Sequence, residues 1–135
     1  MPDVHVSRVR VRYSETDQMG VLHHSGWVLF WEIGRTDLMR ARGLSYRKLE
    51  DERGLMLPVV DFGARMTGSA VYDDEVEIRT RVGEVSRVKV RFEYEGYLDG
   101  RRLATGYSVH GVVNHDWKIT RLPAEVTALL AKGMD

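Results

Sequence analysis

The residues whose types and spacing could perform chemistry lie in one polar stretch near the N-terminus. Asp17 precedes Gly20, and His23 and His24 follow before an apolar run begins at Trp27. A lone loop carboxylate is most often a turn or capping residue, but this loop leads into a predicted helix whose first amides lack partners. Those amides and the helix dipole could hold an oxyanion. Asp17 could then activate water as a general base or attack a carbonyl directly.

Two other pairs of residues predict neither a metal site nor a serine triad. His23 and His24 are adjacent, which is not a metal-ligand spacing, and the chain has no cysteine, so no metal site is predicted. Ser108 and His110 lie within a predicted strand rather than at the strand-to-helix turn of a nucleophile elbow. A serine triad is therefore not predicted.

Composition limits the class of protein. The chain has 135 residues, of which 43% are hydrophobic and 30% charged, and we expect one domain over residues 1–135. The formal net charge is zero, so no nucleic-acid-binding surface is predicted. The apolar stretches are shorter than the roughly 18 residues that a membrane span needs, and the first residues do not have the pattern of a signal peptide. We therefore expect a cytoplasmic protein without a membrane span.

One long helix must position the polar stretch. Residues 26–42 predict this helix, with Ser25 as its N-cap and Gly43 ending it. Its first two turns are apolar nearly all round, which is typical of a buried helix. Within it, Glu32 is interpreted as an ion-pair partner of Arg35 rather than as a second catalytic carboxylate.

The remaining elements are mostly strands, recognised by alternating apolar and polar residues. An antiparallel sheet of about five strands wrapped around one central helix is an α+β arrangement, and its open edges favour dimerisation. Asp99 and Gly100 predict a type I′ hairpin turn. The predicted strands are residues 4–13, 55–66, 76–82, 88–94, 102–113 and 117–121, and the predicted short helices are residues 45–53 and 123–131.

Residues 10–36, RVRYSETDQMGVLHHSGWVLFWEIGRT, resemble the signature of the 4-hydroxybenzoyl-CoA thioesterase family. The branch that they resemble is that of acyl-CoA thioesterases associated with the Tol-Pal system. The signature consists of an aromatic residue, Thr-Asp, Gly-Val, a Tyr-His pair and a Glu…Arg-Thr helix. Three later segments agree with it: Tyr72-Asp-Asp74, Val85-Ser-Arg87 and Leu103-Ala-Thr-Gly106.

The resemblance implies a hotdog fold, in which a sheet wraps one long helix, and an acyl-CoA thioesterase activity. It implies that Asp17 is the catalytic carboxylate and that a backbone N–H near His24 is the oxyanion donor. The imidazole of His24 is expected to order the site or to handle a proton. No cofactor is expected, because coenzyme A is part of the substrate.

The resemblance also implies substrate contacts and partners. Gly20, His23 and Trp27 are expected to contact the substrate, and Ser86 and Arg87 match a segment near the coenzyme A phosphates. His23 replaces the usual Tyr and Trp27 is the aromatic residue after it, so both could reshape the acyl pocket. The chain is expected to form a homodimer with coenzyme A across the subunit interface, and a homotetramer as a dimer of dimers.

Two alternatives remain open at this point. A hotdog enoyl-CoA hydratase or dehydratase would need a His/Glu or Asp/His pair acting on a β-carbon, for which His24 with Glu32 is the candidate. A non-catalytic acyl-CoA-binding module on the same fold would bind its ligand without turnover.

Overall fold

The computed structural model describes residues 3–134, and its main elements are one long helix and a five-stranded antiparallel sheet. The sheet has the strand order β1-β4-β5-β6-β3, and β2 pairs with β7 in a separate two-stranded ladder. The helices are α1 (His24–Ala41), α2 (Tyr46–Arg53) and α3 (Ala124–Ala131). The strands are β1 (His5–Arg10), β2 (Leu55–Met56), β3 (Val59–Met66), β4 (Glu75–Val85), β5 (Lys89–Leu98), β6 (Arg101–Gly111) and β7 (Val113–Asn114).

Aromatic residues fix α1 against the inner face of the sheet. The indole of Trp31 stacks on the Tyr94 ring, with a centroid distance of 4.9 Å and an interplanar angle of 8°. Gly96 and Gly106 leave the space for Trp27 and Trp31, because a Cβ at either glycine would collide with the facing indole. The apolar first half of α1 is therefore buried where the strands lack side chains, which explains how a wide helix packs closely on the sheet.

The predicted architecture of about five antiparallel strands packed on one long helix is confirmed. The hairpin turn is also confirmed, since Asp99 and Gly100 have φ angles of 50° and 80°, the positive values of a type I′ turn. The short second helix is capped by Ser45, whose hydroxyl accepts from the amide of Lys48, and ends at Gly54 in the left-handed conformation.

Two predicted strands have different bounds in the structure. The first strand ends at Arg10 rather than at residue 13, because the Glu15 carboxylate accepts from the amide of Arg12 at 2.7 Å and closes a turn of 3-10 helix. The strand predicted over residues 55–66 is interrupted before Val59. There the carbonyl of Pro58 accepts from the amide of Gly111, and the residues before it pair with β7 instead.

The strand predicted over residues 117–121 is reduced to a short pairing, in which the amide of Thr120 donates to the carbonyl of Val112 and the amide of Asn114 donates to the carbonyl of Lys118. The Asn114 side chain accepts from the amides of Asp116 and Lys118 at 2.9 and 3.1 Å, which folds this segment into a turn. Trp117 takes a φ of 60° in that turn, and Ile119 makes one isolated bridge to Val113. A side-chain oxygen that binds nearby amides competes with strand pairing, and the alternation of residue types does not report it.

Candidate active site at the start of the long helix

A tight hairpin over residues 15–23 positions Asp17. The amide of Asp17 donates to the carbonyl of Val21 at 2.9 Å, and the amide of His23 donates to the carbonyl of Glu15 at 2.8 Å. Gly20 has a φ of 83°, a left-handed conformation that glycine adopts without steric cost. The hairpin thus pairs the backbone of Glu15 and Asp17 with the residues that directly precede α1.

The Asp17 carboxylate is held by one oxygen and open at the other. Its Oδ1 accepts from the amide of Met19 at 2.9 Å and from the amide of Val21 at 3.4 Å. Within residues 3–134, no hydrogen bond or ion pair engages Oδ2. A carboxylate with a fixed orientation and a free oxygen can accept a proton from water or attack an electrophile.

The N-cap of α1 is His23, and the prediction of Ser25 for this role was wrong. The helix begins two residues earlier than expected, at His24. Nδ1 of the His23 ring accepts from the amide of Ser25 at 3.1 Å and lies 2.8 Å from the Ser25 hydroxyl. An imidazole nitrogen therefore takes the acceptor role that a Ser, Thr, Asp or Asn oxygen usually has at this position.

The amide of His24 is the open donor at this helix start. The amides of His23, Ser25 and Gly26 all have acceptors. In the described part of the chain, none accepts from the His24 amide, as expected for a first-turn N–H. The exposed His24 ring lies against the His23 ring, with centroids 4.0 Å apart. A free amide at the positive end of a helix dipole can stabilise developing negative charge.

An apolar cavity of about 540 Å³ borders the same helix start. His24, Ser25, Val28 and Leu29 of α1 line one side of it, and Phe62, Ala64 and Met66 of β3 line the other. Phe62 is 55% exposed and Leu29 50% exposed, so the cavity is open on one side in a single chain. The His24 end of the site therefore lies next to a space suited to an apolar group.

Trp27 lies in the core rather than on this cavity. It is 2% exposed and packs edge-on against Phe30 and at 5.5 Å from Trp31. In this chain it supports the wall behind the helix start. A direct substrate contact by Trp27 stays a prediction.

Ser86 and Arg87 lie at the opposite end of the sheet from Asp17. The start of β4 adjoins the Asp17 hairpin region, since the carbonyl of Asp74 accepts from the amide of Val11. Ser86 follows the far end of β4, roughly 30 Å away at the rise of an antiparallel strand. The Arg87 guanidinium donates from Nε to the carbonyl of Leu122 at 2.8 Å. Within one chain, Ser86 and Arg87 therefore lie far from Asp17.

Ser108 and His110 are hydrogen-bonded partners, but they do not form a catalytic triad. His110 is 2% exposed, its Nε2 lies 2.8 Å from the Ser108 hydroxyl, and its Nδ1 lies 2.9 Å from the carbonyl of Leu57. A carbonyl can only accept, so Nδ1 holds the proton. Burial lowers the pKa of His110 to about 4, so the ring is neutral near pH 7.

The same chain of hydrogen bonds continues to Tyr94. The neutral ring accepts at Nε2 from the Ser108 hydroxyl, whose oxygen then accepts from the Tyr94 hydroxyl. Burial raises the pKa of the Tyr94 phenol, and the nearby Arg35 guanidinium partly opposes that rise. Every proton in this buried series of hydrogen bonds has one acceptor, so the series stabilises the core. Sequence reasoning did not find it, because neither the Tyr94–Ser108 contact nor the burial follows from the motif.

The predicted ion pair of Glu32 with Arg35 is confirmed, at 3.9 Å.

No cluster of three or more His, Cys, Asp or Glu side chains that could hold a metal ion occurs among residues 3–134. Over the same residues, no helix is long and apolar enough to cross a membrane.

The fold and this helix start define a class, that of thioester hydrolases with a hotdog-like fold. The chain belongs to the thioesterase-like superfamily, whose family model matches residues 11–130. The acyl-CoA thioesterase YbgC of Haemophilus influenzae is 32% identical over 85 residues, which are 63% of this chain and 62% of YbgC. The predicted fold and enzyme class are confirmed at this level.

Solved structures agree over nearly the whole chain. The protein TT1821 of Thermus thermophilus is 34% identical with a TM-score of 0.92, covering 98% of this chain and 99% of its own. The DHNA-CoA thioesterase of Staphylococcus aureus is 30% identical with a TM-score of 0.85, covering 88% of this chain and 80% of its own.

Proposed function

We propose that the protein hydrolyses acyl-CoA thioesters to a carboxylate and free coenzyme A. The observation that supports this most is the presence of two open groups in one hairpin-to-helix segment: the free Oδ2 of Asp17 and the unpaired amide of His24. The apolar cavity beside His24 offers space for an acyl group. We also place the chain in the branch of the 4-hydroxybenzoyl-CoA thioesterase family that is associated with the Tol-Pal system, on the motif around Asp17 and His24.

The reaction follows from these two groups by either of two routes. In the first, Asp17 takes a proton from water while the water oxygen attacks the thioester carbonyl, and the tetrahedral intermediate then expels coenzyme A as a thiolate, which takes up the proton. In the second, the Asp17 carboxylate attacks, coenzyme A leaves as a thiolate, and water hydrolyses the mixed anhydride. In both routes the carbonyl oxygen becomes negative, and the His24 amide with the helix dipole stabilises it. Neither route needs a cofactor beyond the substrate.

A second copy of the chain completes the proposed site. β3 is an edge strand with an unpaired side, and Val60, Phe62 and Met66 on it are 65%, 55% and 45% exposed. Such an edge pairs readily with another strand. If two β3 strands pair antiparallel, Ser86 and Arg87 of the partner subunit come to the end of the sheet at which Asp17 lies. Coenzyme A would then cross the subunit interface, with its phosphates near the partner's Arg87.

The other features of the proposal follow from the resemblance. We propose a single hotdog domain over residues 1–135 that acts in the cytoplasm. Two dimers are proposed to associate as a homotetramer. Sedimentation analysis tests this assembly, and a monomer at micromolar concentration would contradict it.

A thiol-release assay over short, medium and aromatic acyl-CoAs tests the proposed activity. In Asp17→Asn the amide oxygen still accepts from the Met19 amide, so the hairpin is kept while the base is lost. We expect kcat to fall by a factor of about a hundred to a thousand. Asp51→Asn is the matched control, since Asp51 is an exposed carboxylate on α2 that pairs with Arg47 at 3.6 Å. Full activity of Asp17→Asn would refute the assignment.

A single-turnover reaction in heavy-oxygen water separates the two routes. Incorporation of the label into the Asp17 carboxylate requires the mixed anhydride. Label found in the released acid alone is expected from the general-base route and also from attack of water on the acyl carbon of the anhydride, and trapping of an acyl-enzyme then distinguishes the two routes.

A further inference from the structure

A second cavity, of about 210 Å³, lies along α1 beyond the helix start. Arg35 and Met39 of α1 line it, together with Tyr46 of α2 and with Phe92 and His110 of the sheet. Three separate elements thus enclose it, and the proposed hydrolysis does not use it. The polar groups that face this space determine what it can bind.

The wall at His110 offers a ligand no hydrogen-bonding group. Both ring nitrogens are engaged, one by the carbonyl of Leu57 and the other by the Ser108 hydroxyl. The wall at Tyr46 differs. The Tyr46 oxygen accepts from the amide of Leu57 at 3.0 Å, which leaves the phenolic proton to donate elsewhere.

Arg35 has more donors than partners, since the groups near its guanidinium are the Glu32 carboxylate and the Tyr94 hydroxyl. Its side chain is 16% exposed, and within residues 3–134 the single carboxylate at ion-pair distance is Glu32, at 3.9 Å. A guanidinium carries five N–H donors, and a contact at that distance is too long for a hydrogen bond. The Glu32 side chain is itself 66% exposed, so this ion pair contributes little. The cavity therefore presents a half-buried cation and a phenol as donors, together with the largely exposed Glu32 carboxylate and the Thr36 hydroxyl.

The two cavities lie on the same face of α1. Residues eleven apart on an α-helix are separated by about three turns and point the same way. His24 and Val28 border the apolar cavity, and Arg35 and Met39, eleven residues further on, border the second. The sheet shows the same order, since Phe62 pairs with Ser108 and Val59 pairs with His110 on the way from one cavity to the other.

We propose that the two cavities are the near and far parts of one acyl path, and that the substrates are acyl-CoAs whose far end bears a carboxylate, bound by Arg35 and Tyr46. This rests on the proposed function. Eleven residues of helix measure about 16 Å, and the Arg35 side chain leans back toward the helix start. The acyl group must therefore span on the order of 10 Å, which suits a linear chain of medium length.

Paired substrates of equal length test the proposal. The assay compares kcat/KM for octanoyl-CoA with that for suberoyl-CoA, which differs by the terminal carboxylate, and repeats this with the hexanoyl and decanoyl pairs. The wild-type protein is expected to prefer the carboxylated member at one length. Arg35→Met is expected to lower that preference by a factor of about ten to a hundred, because it removes the charge-assisted hydrogen bonds. Arg40→Met, an exposed position on the same helix, is the matched control.

Two further variants keep the test decisive if Arg35→Met is poorly folded. Tyr46→Phe keeps the ring and removes one donor, so the preference should fall by a smaller factor. Glu32→Gln removes the carboxylate that competes for Arg35, so the preference should rise. The proposal is overturned if the wild-type protein hydrolyses both members equally at every length, or if these three variants leave the ratio unchanged. Loss of all hydrolysis in the wild type would instead refute the proposed function.

Discussion

Two histidine environments lie along the same helix, and they differ in every physical respect. At the start of α1, the rings of His23 and His24 contact each other and the His24 ring is exposed. Beneath the later turns of α1, His110 is 2% exposed and both of its ring nitrogens have partners. Both contain a histidine near a serine, so the residue types alone do not separate them.

The difference lies in which polar groups remain unpaired. At the helix start, one carboxylate oxygen of Asp17 and one backbone amide are open. Around His110, the chain from Tyr94 through Ser108 to the carbonyl of Leu57 uses each donor once. Open groups can bind and stabilise a reacting molecule, whereas fully paired buried groups stabilise the fold. The comparison therefore assigns chemistry to the first site and stability to the second.

The largest expected effect on stability is at His110. His110→Phe keeps an aromatic ring but leaves the Ser108 hydroxyl and the Leu57 carbonyl without their partner. Buried unpaired groups cost about 1–3 kcal/mol each, so we expect the free energy of unfolding to fall by about 3 kcal/mol. Urea denaturation measures it. His115→Phe, at an exposed histidine, should change it by less than about 0.5 kcal/mol. Equal effects of the two variants would contradict the assigned role.

Lowering the pH should reduce the free energy of unfolding through protonation of His110 in the unfolded chain. The folded-state pKa of His110 is about 4, below the ordinary value of 6.5, so the unfolded chain binds a proton that the folded chain does not between these values. Stability is therefore full above about pH 6.5 and falls by about 3 kcal/mol as pH drops toward 4. Denaturation at several pH values in that window measures the slope. His110→Gln should show a shallower slope, and an unchanged slope would refute this account.

A smaller effect is expected at the N-cap. His23→Ala removes the acceptor for the Ser25 amide and should lower the free energy of unfolding by about 1 kcal/mol. Ser45→Ala removes the cap of α2 and should cost a similar amount. Thermal unfolding compares the two variants. We expect the rate of thiol release to fall in the His23 variant and not in the Ser45 variant. The reason is that α1, which His23 caps, begins at the proposed site, whereas α2, which Ser45 caps, does not. Equal rates would contradict the importance of this cap for the reaction.

The smallest expected effect is that of the His24 side chain. If the backbone amide is the oxyanion donor, His24→Ala keeps the donor, and kcat should fall by less than about tenfold. A fall comparable to that of Asp17→Asn would show that the ring takes part in the chemistry.

Much of the fold was predictable because its signals are local. The alternation along β4 and β5, the Asp99–Gly100 turn and the Ser45 cap each depend on neighbouring residues. The strand predicted over residues 117–121 is shorter than expected because one side chain, Asn114, folds the backbone before it into a turn. Alternating residue types do not report such a competing hydrogen bond.

The candidate site was predictable in part. Asp17, Gly20 and the helix start are close in sequence, so their grouping in one loop before the helix was predicted, whereas the backbone pairing of that loop into a hairpin was not. His23 as the cap could not, because histidine is not among the residues that usually cap helices. The second cavity depends on Arg35, Tyr46 and His110, which lie on three elements far apart in sequence. No spacing in the sequence indicates that they enclose one space.

The most direct test of the central claim locates the thioester carbonyl in the protein. Asp17→Asn, which should bind without rapid turnover, is labelled for amide NMR and titrated with an acyl-CoA that the wild-type protein hydrolyses. We expect the His24 amide to show a large downfield shift, while the Ser25 amide, already bonded to His23, shifts less. An unmoved His24 amide together with large shifts around Ser108 and His110 would contradict it.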